Sequence, residues 1–118
     1  MKELKELKKQ FVDQAVRHGK GTLDGDSKIA NQAHGELMNT LKNLHVIDKN
    51  FESLTPMLEH ENISVRTWAA TYLLPYKTGD ALVTLKEAAK EKGLVAFSAG
   101  ITAREWEKGS LKPLSTLG

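Results

Sequence analysis

The chain has 118 residues, 40% hydrophobic and 27% charged, with a net charge of +2 and no cysteine. That length makes one domain of the usual ~100–200 residues, and a domain this size buries about 65% of its unfolded surface without a staple. The missing thiols exclude disulfides, thiolate metal sites and a cysteine nucleophile; the small net charge does not imply nucleic acid.

The start, MKELKELKKQF, is charged within three residues and has no apolar h-region, which argues against a secretory signal. No stretch approaches the ~18 uncharged apolar residues of a membrane span, so a cytoplasmic protein is expected. Charge is unevenly spread. Residues 1–20 carry six Lys/Arg against three acids, residues 48–64 one against four, and residues 65–92 five against three. Such a mixed field suits a protein partner better than a phosphate backbone.

The spacing predicts a first helix over residues 2–18, with Leu4, Leu7, Phe11 and Ala15 on one face and Val12 and Val16 beside them. Gly19-Lys20-Gly21 is expected to end it. A second helix opens at LDGDSK, where Asp24, Asp26 or Ser27 can cap free N–H groups. Its stripe is Ile29, Ala33, Leu37, Leu41 and Leu44. A third, from about Asp48 to Glu59, turns Phe51, Leu54 and Leu58 inward. Pro56 should distort it or restrict it to short turns.

The fourth helix starts near Asn62 or Ser64 and ends before Pro75, with Val65, Trp68, Ala69, Tyr72 and Leu73 inward. The fifth follows Ala81, Leu82, Leu85, Ala88 and Ala89 and stops at Gly93. The sixth covers about residues 94–108, with Val95, Ala99, Ala103 and Trp106 on one face and Phe97 and Ile101 nearly opposite. A terminal helix apolar on two sides needs either the tail at Leu111 and Leu114 or another chain to cover it. The chain is therefore expected to be all-α, one domain over residues 1–109, with a loosely held tail at 110–118.

Within LEHENISVRTWAATYLL, a tight turn leads into a helix that carries Ala69 and Ala70 beside bulky Trp68 and Tyr72. Helices joined by so few residues pack antiparallel, and small side chains let further pairs approach. Pro56, Met57-Leu58, Glu61-Asn62, Val65-Arg66, Ala69-Ala70 and Leu73 follow the order of a HEAT repeat, which the stretch resembles. The whole chain also looks like a small bacterial family of HEAT-like domains, through Gly25 to Asn31, His60 to Arg66, and Trp106 to Gly109. The resemblance implies a short α-solenoid of three antiparallel hairpins and brings no assigned activity. It also implies that Arg66 bonds a helix end or an acid, with Glu61, Glu59 or Asp26 as candidates. HEAT turns usually carry Asp where this chain has Glu61-Asn62, and the hairpins are irregular against a ~40-residue repeat.

Chemistry-bearing patterns are sparse. His18, His34, His45 and His60 form no i,i+4 pair with a completing acid, and His18 and His45 are read as helix-end residues. LDGDSK fails as a calcium loop at Lys28. No nucleophile elbow or phosphate-cradling loop occurs. Trp68 and Trp106 read as core. No cofactor, no metal and no enzymatic activity are expected.

What remains is a protein-binding module, read first as an immunity- or inhibitor-type protein that neutralises a partner such as a bacterial toxin. Its candidate contacts are Asn31, Asn39 and Lys42 on the second helix, and Arg66, Thr67 and Thr71 on the fourth. Phe97, Ile101, Arg104 and Lys108 on the sixth complete them. The alternatives are an adaptor, a nucleic-acid-binding HEAT-like domain, or a homodimer joined through the sixth helix.

Overall fold

The computed structural model describes residues 3–117. Five α-helices are present: α1 (Leu4–Leu23), α2 (Ser27–Ile47), α3 (Ile63–Leu73), α4 (Thr78–Ala88) and α5 (Leu94–Glu107). Two 3₁₀ helices, Glu52–Glu59 and Pro113–Leu117, complete the fold, and no strand occurs among the described residues. The expected third helix is thus the first 3₁₀ helix, and the expected fourth to sixth are α3 to α5.

Two local devices follow from side-chain chemistry. Asp26 caps α2 by accepting the Ile29 N–H at 3.1 Å, and Asn62 caps α3 by accepting from Ser64 and Val65 at 2.9 and 3.2 Å. Pro56 lies inside the tight 3₁₀ segment, where fewer hydrogen bonds depend on the missing N–H. Phe51, just before it, has a left-handed backbone with φ 53°, an uncommon state for a bulky residue. That state turns the ring fully into the core, where it stacks on His45 at 5.0 Å.

The first glycines do not end α1. The helix runs through Gly19 and Gly21 to Leu23, and both glycines are points of close approach. A Cβ on Gly21 would lie 2.8 Å from the Ala30 backbone nitrogen of α2. The helix continues because its hydrogen bonds are intact and the missing side chains make room for neighbours. His18 consequently sits mid-helix, not at a C-terminus. The expected start at Lys2 lies outside the described residues.

α3 is the hub. It packs against α1, α4, α5 and both 3₁₀ helices, and Val65, Ala69, Ala70, Tyr72 and Leu73 are all buried. A short helix with neighbours on every side needs small residues where axes come closest, which is the task of Ala69 and Ala70. Longer side chains span the gap to α2: Trp68 meets His34 with ring centroids 5.8 Å apart, and the Tyr72 hydroxyl lies 3.4 Å from the Met38 sulfur. The Cα radius of gyration, 13.2 Å, is that of a compact domain of this length.

Two expectations about packing need correction. Ile29 is 43% exposed and only flanks the α2 stripe. The tail is not loose: Pro113 and Leu117 are buried, and Thr116 meets the Tyr72 hydroxyl at 2.8 Å. The tail packs on α2 and α3, and it leaves the Phe97 side of α5 uncovered.

Candidate functional site

Three helices enclose a groove of about 230 Å³ lined by His18 and Thr22 of α1, Thr67, Trp68 and Thr71 of α3, and Ser98 and Thr102 of α5. It exists because the helix axes come together on small residues. Gly19 admits Ser64, and Ala96, Ala99 and Ala103 are the buried face of α5. Leu94 and Val95 form its apolar end.

The groove wall is made of neutral polar groups. Thr22, Thr71 and Thr102 each donate their hydroxyl proton one turn back, to the carbonyls of His18, Thr67 and Ser98 at 3.0, 2.7 and 2.9 Å. Their oxygens therefore remain as acceptors. Thr67 is nine-tenths buried, and its Oγ1 has no partner. Burial penalises the charged form of His18, and His34 adds repulsion, so its pKa lies below the usual histidine value. The imidazole packs edge-on against Trp68, with centroids 5.3 Å apart.

Along the outside of α5 runs a second feature. Leu94 and Phe97 are 58% and 65% exposed, and Ile101 is also exposed. Arg104 and Lys108 continue the same three-and-four spacing and are exposed too. Neither forms an ion pair among the described residues, whereas Glu107 on the same helix holds Lys86 at 3.0 Å.

The remaining candidates lie elsewhere. Arg66 is committed to structure. Its Nη1 donates to the carbonyls of His60 and Glu61 at 2.8 and 3.0 Å, and Nη2 pairs with Glu91. It binds a helix end, as the resemblance implies, but its acidic partner is Glu91, 25 residues away. Asn39 and Lys42 line a separate cleft of about 300 Å³ beside Thr116 and Leu117. Asn31 is exposed on α2. The ten candidate contacts are thus divided among separate surfaces. Thr67 and Thr71 meet in the groove, and Phe97, Ile101, Arg104 and Lys108 form the α5 stripe.

Sequence reasoning missed Ser98, Thr102 and Thr22, because a hydroxyl on a helix carries no signature until the facing helices are known. Both tryptophans pack against the core and are partly buried at its edge. Trp68 borders the hydroxyl groove. Trp106 faces an apolar cleft of about 380 Å³ under the tail, with Pro75 and Leu111.

Among the described residues no three metal-binding side chains converge, and no helix is long and apolar enough to cross a membrane. Comparison with protein-family models, curated proteins and solved structures finds no match to this chain.

Proposed function

We propose that this chain is a non-enzymatic protein-binding module that docks its partner on the outer stripe of α5, acting as an immunity- or inhibitor-type protein. The observation that carries the reading is the stripe itself. Leu94, Phe97, Ile101, Arg104 and Lys108 recur every three or four residues and all face solvent. Water is a poor environment for a phenyl ring flanked by two aliphatic side chains, and contiguous exposed apolar surface on a small domain marks a contact site.

The stripe also suits one kind of occupant. It is apolar toward the N-terminal end of α5 and cationic toward the C-terminal end, with Arg104 and Lys108 unpaired among the described residues. A partner segment with an apolar face and carboxylates at one end complements both halves: the apolar part supplies affinity and the charges supply register and encounter rate. The HEAT-like turn motif supports the same class, because stacked hairpins of that kind present helix faces to other proteins. Blocking a toxin needs only that such a surface cover the toxin's working face.

The test compares tagged wild-type chain with a Phe97→Asp variant, each expressed in the organism of origin with the neighbouring genes intact. Captured proteins are cross-linked and identified. The reading expects one acidic-faced protein recovered in stoichiometric amount by the wild type, inhibited by it, and lost with the variant at unchanged melting temperature. Recovery of the same proteins by both forms contradicts it, as does recovery of only nucleic acid or of the chain itself.

A further inference from the structure

The groove between α1, α3 and α5 shares only Leu94 with the outer stripe and has different chemistry. No Lys, Arg, Asp or Glu is among its lining residues. A charged ligand entering it would lose hydration and meet no opposite charge, so the wall selects against ions. The depressed pKa of His18 adds to this, since burial keeps the imidazole neutral.

The hydrogen-bonding balance is equally specific. Thr22, Thr71 and Thr102 have spent their protons on helix carbonyls and offer lone pairs only. The ligand that matches must donate several hydrogen bonds. Thr67 makes no such bond to the carbonyl one turn back, although threonine in a helix commonly does. Its hydroxyl is left buried and unpartnered behind the groove wall, where a ligand does not reach it. Trp68, Leu94 and Val95 supply apolar surface along the same walls. The volume, about 230 Å³, is below the ~300–1,000 Å³ of sites for drug-sized ligands, so the occupant is a single ring.

We propose that this groove binds an uncharged polyol the size of one sugar ring, with hydroxyls donating to Thr22, Thr71 and Thr102 and C–H surface against Trp68 and Val95. A neutral polyol is the chemistry that meets all three conditions: no charge, many donors and an apolar side.

The experiment uses the full chain, labelled with ¹⁵N and titrated with myo-inositol and methyl glucoside. A ligand of this size reaches about millimolar affinity. The readout is the indole N–H of Trp68 and the amides of Ser64, Thr67 and Ser98. Saturable shifts are expected with at least one neutral ring. Glucuronate and glucosamine, which add one charge to the same scaffold, should bind at least about tenfold more weakly. Ser98→Leu fills the groove from an exposed position, away from the core, and should abolish the shifts at unchanged melting temperature. The proposal is overturned if no neutral polyol gives saturable shifts, if the charged rings bind as tightly, or if Ser98→Leu binds like the wild type.

Discussion

Ser64 occupies the space that a side chain on Gly19 would need: a Cβ built there lies 1.8 Å from Ser64 Oγ and 2.8 Å from Ser64 Cβ. The two residues are 45 positions apart, and their contact sets how closely α1 and α3 approach. It thereby fixes the width of the hydroxyl-lined groove beside them.

Gly19→Ala is therefore expected to destabilise, although alanine in a helix is normally better than glycine by about 1 kcal/mol. Overpacking at a closed contact costs about 1–3 kcal/mol, and here the nearest atoms belong to a short side chain with little room to move. Urea denaturation should show a net loss. Combining it with Ser64→Ala should recover part of that loss, a coupling that a double-mutant cycle measures. Equal or greater stability of Gly19→Ala would contradict the packing.

Arg66→Met should lower stability by about 1–3 kcal/mol, because it removes two hydrogen bonds from a charged group to carbonyls that are otherwise left unpaired. Arg66 is only 19% exposed at the side chain, whereas Glu91 is 52% exposed. Glu91→Gln should accordingly cost less than about 1 kcal/mol, as exposed ion pairs do. Thermal denaturation of both variants checks the order. A larger effect at Glu91 would mean that the ion pair, not the turn carbonyls, is the important contact.

Leu117 is 7% exposed and belongs to the core, and Tyr72, 3% exposed, belongs to the same core. Leu117→Ala should cost about 2 kcal/mol, and Tyr72→Phe about 1 kcal/mol through the lost bond to Thr116. Burial raises the Tyr72 pKa, an effect that the Thr116 hydrogen bond partly offsets. Ultraviolet titration should therefore find a tyrosine ionising above the ordinary range, and cutting the chain after Gly109 should lower the melting temperature. A tail that is dispensable for stability would contradict its place in the fold.

His18 gives stability a dependence on pH. Its pKa is depressed in the fold, by burial first and by His34 second, so the unfolded chain takes up its proton at higher pH than the native one. The contribution is fully present above the unfolded value of about 6.5 and is lost as pH falls below it toward the native pKa. Denaturant midpoints should decline from pH 7 to pH 5, with a shallower slope for His18→Asn. Identical slopes would remove His18 as the cause.

Much of the fold was legible because it depends on local chemistry. Caps such as Asp26 and Asn62, the proline at 56 and the spacing of Leu37, Leu41 and Leu44 act within one or two turns. The errors came from contacts distant in sequence. Gly19 and Gly21 look like a stop signal unless Ser64 and Ala30 are known to lie opposite them. The tail has no periodicity, yet Leu117 is held by a pocket built from α2 and α3. The site was legible in the same uneven way. Phe97 and Ile101 stand out as apolar residues on the wrong side of a helix, while Ser98 and Thr102 become notable only when His18 and Thr67 face them.

The central claim, that α5 docks a protein partner through its outer stripe, is tested most directly by calorimetric titration of the captured partner against wild type and Phe97→Ala. A buried aromatic anchor contributes at least about 2 kcal/mol, so the dissociation constant should rise roughly thirtyfold with the melting temperature unchanged. Dissociation constants within about twofold of each other, well under 1 kcal/mol apart, would place the partner somewhere other than on this helix.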